Sequence, residues 1–334
     1  MAGSGKTVKA QLRKGAAIVF DLDGKGGSRQ LDDSVIADWQ PRGKGGFLWT
    51  HIHRDAPGVA SLLEQNGCDE FVRDALTADD TRPRCTIHAN GVVIILRGID
   101  NTPDAEPDDT ASVRFWVEGN RVIGVWLRPL QAISDILAAS DIGRGPRSPG
   151  DLIATVALRL ADKAEPIVTE LSEQIDDMEE RIGEDLPSAV RRELADIRRS
   201  AIHLRRFMFP QRDALTTLEI EELPFLSEHD RSRIREAASR VTRLAEELDA
   251  IRDRAAIVYD EIMDRRSEVM NRNTLLLAIV AAIFLPLGLV TSLLGINVGG
   301  IPGATNGNAF WVVTAILGGI AVIEIIIVRL LRMY

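Results

Sequence analysis

The stretch NTLLLAIVAAIFLPLGLVTSLLGINVGGIPG, Asn273 to Gly303, opens an uncharged run that lasts to Ile323. Over about fifty residues it holds no Asp, Glu, Lys, Arg or His. A hydrocarbon core about 30 Å thick is crossed by about 20 apolar helical residues. The run therefore predicts two transmembrane helices, at about 273–294 and 310–328, with a loop over 295–309. Pro286 inside the first span is tolerable where neighbouring helices re-satisfy the freed backbone group. Trp311 suits an interfacial anchor at the start of the second span, and Glu324 is the ionisable group within it. Arg265, Arg266 and Arg272 precede the first span, Arg329 and Arg332 follow the second, and the loop has no basic residue. By the positive-inside rule both termini face the cytoplasm and the loop faces out.

Upstream of the run, no Pro or Gly occurs between Pro224 and Pro286. That predicts one helix from about Asp230 to Leu294, capped by Ser227-Glu228-His229-Asp230, with carboxylates suited to a helix N-terminus. At 1.5 Å per residue it would measure on the order of 100 Å, which suits a stalk in an oligomeric bundle better than a globular monomer. Glu246, Asp249, Asp253, Asp260, Asp264, Ser267, Asn271 and Thr274 recur at spacings of three, four or seven and share one stripe. Arg243, Arg252, Arg254, Arg265 and Arg266 fall mostly off it. The plain reading is a solvated acidic face balanced by a basic one. The functional reading is a funnel in which stripes from several copies converge, with Asp253, Asp260 and Asp264 attracting cations.

The stripe continues into the span as Thr274, Leu277 or Ala278, Ala281, Leu285, Gly288 and Ser292. These are small or apolar, so spans can pack closely around a narrow axis and gate it by excluding water. The loop Gly295-Ile296-Asn297-Val298-Gly299-Gly300-Ile301-Pro302-Gly303 lets backbone approach that axis, and the Asn297 side-chain oxygen is a neutral cation ligand. A tight turn between two spans explains the glycines alone; a pore mouth explains the arrangement.

The remaining chain reads as water-exposed protein. Charged residues make up 27% of 334 residues, with a net charge of −9, so nucleic acid is a poor partner. Two cysteines, Cys68 and Cys85, fit neither a disulfide framework nor a Cys-based zinc site. Gly3-Ser4-Gly5-Lys6-Thr7 imitates a phosphate loop but lacks the earlier Gly and the preceding strand. Strands are expected at Ala16–Phe20, Gly46–Ile52, Cys85–His88, Val92–Arg97, Val113–Val117 and Arg121–Trp126, the last two joined by a Gly119-Asn120 turn. Helices are expected at Pro57–Gln65 and Leu130–Ala139, giving a largely antiparallel α+β domain over 1–147. A helical region and stalk follow over 148–272, with one helix from Pro149, a break at Gly183–Pro187, and a second helix from Ser188 to about Leu218. Pro210 should kink or unwind that second helix. His51 and His53 share a strand face and pose a metal pair with Asp55 nearby, against the plainer reading of two polar strand residues. Asp21-Leu22-Asp23-Gly24 suggests a cation loop or, more simply, a turn. No Ser-His-Asp or Cys-His grouping supports an enzyme.

Taken together, Tyr259, Asn271, Phe284-Leu285-Pro286 and Gly295-Ile296-Asn297 resemble the signature of CorA-type metal ion transporters. Ile296 stands where that signature carries Met, and the Gly-Ile-Asn ending is similar to the ZntB zinc-transporting branch. Gly303 stands where magnesium-type members usually carry an acidic residue. Thr81–Arg84, Leu96–Asp100 with Trp116–Gly119, and Pro210–Leu215 also look like this branch. The resemblance implies a homopentamer in the cell inner membrane, with a cytoplasmic domain, a funnel of long helices and a central pore. Gly295, Ile296 and Asn297 would form the outer mouth, Asn271, Thr274, Leu277, Leu285 and Gly288 would line the pore, and Asp260 would face the funnel. Asn297 and Asp260 are the candidate metal contacts. No cofactor is implied; zinc is the expected transported ion, and coupling to protons has been proposed for the branch. The rivals are a magnesium or broad divalent channel and, in another class, a two-span membrane-anchored sensor or scaffold.

Overall fold

The computed structural model describes residues 17–32, 39–43, 45–79, 81–100, 102, 105, 108–181, 188–296, 298–299, 301, 303 and 306–331. Two compact units divide the chain, Met1–Tyr259 and Asp260–Tyr334. The first is an α+β domain with a helical continuation, the second the C-terminal helical part.

In the first unit, β1 (Ala17–Leu22), β2 (Ser28–Leu31), β3 (Phe47–His53), β4 (Arg84–His88), β5 (Gly91–Ile99), β6 (Thr110–Glu118) and β7 (Arg121–Trp126) form one sheet in the order β2-β1-β3-β7-β6-β5-β4. All pairs are antiparallel except β3 with β7, which is parallel. β5, β6 and β7 are Val/Ile-rich and buried along most of their lengths, so they form the centre of the core. Of the Asp21–Gly24 segment, Asp21 and Leu22 end β1, and Asp23-Gly24 open the turn that follows it. Asp23 Oδ1 accepts from Lys25 N at 2.8 Å and Gly27 N at 2.9 Å, and the Lys25 bond foremost holds its carboxyl below the usual range. Buried Asp21 is matched by Arg42 Nε at 2.5 Å and the Trp39 indole N–H at 3.1 Å, as a carboxylate out of water must be.

Helices α1 (Val59–Gln65) and α2 (Glu70–Thr77) cover one face of the sheet through Leu63, Val72, Ala75 and Leu76. α2 was not expected from sequence, nor was β2. Asp69 caps α2 by accepting from Val72 N at 2.9 Å. Next come α3 (Gln131–Asp141), α4 (Pro149–Arg181) and α5 (Ser188–Ile220). α4 lies close against β5 because Gly98 has no side chain; a Cβ there would run into the Leu160 side chain. Of the kink or unwinding expected at Pro210, the unwinding does not occur, for α5 is continuous through it. Proline removes one intrahelical hydrogen bond, and buried Phe207, Met208, Gln211, Ala214 and Leu215 hold the flanking turns.

The last two helices are α6 (Glu228–Leu294), of 67 residues, and α7 (Ala309–Leu331). In its first-unit part, α6 buries Ile234, Ala237, Val241, Leu244, Leu248, Ile251, Ala255 and Val258. These alternate at spacings of three and four, the pattern of a coiled-coil seam. Ion pairs link α6 to α4 at Asp151–Arg233, Asp162–Arg240 and Asp176–Arg254, numbers that rise together, so the two helices run parallel. Arg205 of α5 pairs with Asp249, and Glu219 with Arg235 at 2.7 Å, so α5 runs the opposite way.

In the second unit, the C-terminal part of α6 and all of α7 are long and apolar enough to cross a membrane, each with an apolar stretch of mean hydropathy 2.5 that nothing in the structure buries.

Candidate functional site

The acidic stripe lies opposite the buried seam of α6. Counting seam residues as the first and fourth positions of a seven-residue repeat, Glu246, Asp253, Asp260, Ser267 and Thr274 all take the sixth position. Every one of them is exposed. Asp260 and Asp264 make no ion pair among the described residues, whereas Asp253 shares Arg252 at 2.8 Å. Asp249 is engaged by both Arg205 and Arg252. Among the described residues of the stripe, Asp249 and Asp253 are thus paired, while Glu246 before them and Asp260 and Asp264 after them are not. The arginines, expected to form a solvated basic face, do more: Arg254 reaches α4 at Asp176 and at Glu179, 2.6 Å. Its guanidinium is held more firmly protonated, mainly by the Glu179 hydrogen bond. Sequence periodicity could not reveal these pairings, because they join α6 to residues some seventy-five positions earlier.

Further along, Asn271, Thr274, Ala281, Gly288 and Ser292 are exposed, and Leu277 and Leu285 are 71% and 77% exposed. A helix that leaves large apolar side chains uncovered calls for lipid or further helices around it. By spacing these residues continue the face of the acidic stripe. Pro286 sits within α6 without ending it. The helix closes at Gly295, whose N–H donates to Thr291 O at 3.0 Å and Ser292 O at 3.2 Å. Ile296 is half exposed. Asn297 lies outside the described residues, as does the Gly3–Thr7 segment. Before α7, Gly303 takes a positive φ of 80° and its carbonyl accepts from Asn306 N. The Asn306 side chain then accepts from Asn308 N at 3.0 Å, an Asx-type turn just ahead of the helix start. In α7, Glu324 Oε2 is covered and has no hydrogen-bond partner among the described residues.

The histidine pair does not assemble a metal centre. His51 is buried, stacked on Trp126 at 5.7 Å and edge-on to Trp49 at 5.4 Å. His53 meets the same Trp126 edge-on at 4.7 Å, and its Nδ1 accepts from Asp55 N at 3.3 Å. Among the described residues no three His, Cys, Asp or Glu side chains gather as a metal site. Cys68 and Cys85 are free, and burial pushes both thiols up to about 12, leaving them inert.

Residues 44–330 match the model of the family described as CorA-like Mg2+ transporter protein. The chain belongs to the CorA family. It is 35% identical to the divalent cation transporter CmaX of Pseudomonas aeruginosa, over 96% of this chain and 97% of that protein. It is 34% identical to the zinc transport protein ZntB of Yersinia enterocolitica, over 90% of this chain and 91% of that one. The solved structure of full-length CmaX superposes with a TM-score of 0.83, covering 95% of this chain and 98% of the other at 35% identity. Membership of the CorA family accounts for the combination of an α+β N-terminal domain, a long helix and two C-terminal candidate membrane helices.

Proposed function

We propose that the chain transports divalent metal cations, with zinc preferred, as a homopentamer in the bacterial inner membrane, and that it is not an enzyme. In this reading residues 1–147 are a cytoplasmic α/β domain, 148–272 the helical region and stalk, and 273–334 the pore domain, with both termini cytoplasmic. The observation that carries the reading is that a single helix, α6, turns one exposed acidic stripe into an uncharged, exposed span without interruption.

Five copies of that stripe around one axis would make Asp260 and Asp264 a ring that concentrates cations and repels anions. Asn271 and Thr274 then offer neutral oxygens, while Leu277, Ala281 and Leu285 form an apolar constriction, followed by Gly288 and Ser292. Asn297, beside Gly295 and Ile296, completes the outer mouth. No resident cofactor is needed, since the cation is cargo. A broader divalent preference is the second reading, supported by the similarity to a protein named a divalent cation transporter. Proton coupling is a further element of the proposal, supported by the covered, unpartnered oxygen of Glu324.

Purified protein in liposomes, with metal and pH gradients varied independently, tests all of this. Zinc flux is expected to exceed magnesium flux, and Glu324→Gln to abolish its dependence on the pH gradient. Asn297→Ala is expected to lower flux by about tenfold, the worth of one lost polar contact at a barrier, with the oligomer intact. Magnesium flux above zinc flux would replace the zinc assignment. A protein that moves no divalent ion under any gradient would instead be a membrane-anchored sensor.

A further inference from the structure

The first unit holds a cleft of about 370 Å³ between α3, the Gly143–Arg147 loop, α4 and α6. Its size lies within the range of small-molecule sites, about 300–1,000 Å³. Arg144, Arg147, Arg159 and Arg233 line it together with Asp135 and Asp151. Both carboxylates are already occupied. Asp135 pairs with Lys163 at 3.0 Å and accepts from Gln131 at 2.6 Å, and Asp151 pairs with Arg233. Arg233 also donates to Thr155 Oγ1 at 2.9 Å. Arg144, Arg147 and Arg159 have no ion pair or side-chain hydrogen bond among the described residues. Three positive charges thus face one concave space without compensation, on a chain whose net charge is −9.

The frame that carries them is pinned. Arg144 N donates to Ala139 O at 2.8 Å, which closes α3, and Gly145 N donates to Gly26 O at 2.8 Å, which ties the loop to the β1–β2 turn. Arg147 N donates to Asp151 Oδ2 at 2.9 Å, while Asp151 N donates to Ser148 Oγ at 3.0 Å, so the loop enters α4 through a reciprocal cap. Asp151, Thr155 and Arg159 follow at four-residue spacing on one face of α4.

We infer that this cleft is a binding site for a small phosphate-type polyanion. Guanidinium groups take phosphate oxygens in a bidentate fork, and several converging on one ligand give both charge and geometry. The lining has no aromatic ring, so it has nothing on which a nucleobase would stack. The phosphate groups are recognised and the rest of the ligand is not. Metal cations are disfavoured, since both lining carboxylates are engaged.

Titrating the full-length protein in nanodiscs with pyrophosphate in metal-free, low-salt buffer tests the site by calorimetry. Saturable binding of one pyrophosphate per chain is expected. Arg159→Ala should weaken it about tenfold, and Arg144→Ala/Arg147→Ala/Arg159→Ala should remove it. Arg159→Lys keeps the charge but loses the fork, so it should fall between wild type and Arg159→Ala. ATP should bind no more tightly than pyrophosphate, and chloride should compete only by screening. An unsaturable wild-type titration, or a triple variant that binds as the wild type does, overturns the inference. If the triple variant changes the number of copies seen by native mass spectrometry, the cleft seats an acidic segment of a second copy, and the inference again fails. Binding is read without ion flux, so this outcome is independent of the transport proposal.

Discussion

His51 is a base kept neutral by its surroundings. It is 2% exposed, its Nδ1 has no hydrogen-bond partner among the described residues, and Trp49 and Trp126 enclose the ring. Gly124 makes room for it, since a Cβ there would lie 2.8 Å from Nδ1. Desolvation lowers its pKa to about 3. The unfolded chain binds a proton there below about pH 6.5 and the folded chain does not. Stability from this group is therefore complete above pH 6.5 and lost as pH falls toward 3. Between pH 6 and 4 the loss should be about 1.4 kcal/mol per pH unit. Denaturant melts of wild type and His51→Phe at several pH values check it; a difference between the two that does not change with pH would sink the argument. Alternation along β3 places His51 and His53 on one face, which is legible in the sequence. That the face is filled by Trp126, from β7, is not, because strand pairing depends on partners far along the chain.

At the scale of elements, α6 carries two patterns on opposite sides. The acidic stripe stands out in sequence because charges recur at helical spacing. The seam from Ile234 to Val258 is equally periodic, but two of its positions, Ala237 and Ala255, are alanine and attract less notice. What separates free from paired carboxylates is invisible to periodicity, since it depends on Arg205 arriving from α5 and on the rotamer of Arg252. The pairing gives a graded expectation. Asp260→Asn with Asp264→Asn should lower divalent flux several-fold at low ionic strength and Asp253→Asn should lower it less, because an exposed pair already neutralises part of that charge. The effect should fade near 0.15 M salt, where screening acts over about 8 Å. Equal effects of all three, or none at low salt, would return the stripe to a solvated face. β2 and α2 were missed for local reasons: Ser28–Leu31 is polar and half-exposed, and Glu70–Thr77 spans only about two turns.

At the scale of the whole chain, composition alone marks where protein gives way to apolar helix, and the packed seam ends earlier, at Val258. Everything the first unit buries lies before Tyr259. A piece ending at Tyr259 should therefore fold in detergent-free buffer, with helical and strand signals by circular dichroism and a cooperative thermal transition. Aggregation of that piece without detergent would count against the division. The same piece extended to Leu294 should need detergent, since it adds the uncovered apolar stretch.

The single parallel seam in the sheet has a consequence for the order of assembly. β2-β1-β3 and β7-β6-β5-β4 are each built from neighbouring antiparallel strands, so each closes over short distances as it leaves the ribosome. The halves join only where Leu48 registers with Arg121, about seventy residues later. Loop-closure entropy is lost across that whole interval before any β3–β7 hydrogen bond forms. Until then the growing chain presents the open edge of β3, with Trp49 and His51 on it, to whatever else is nearby.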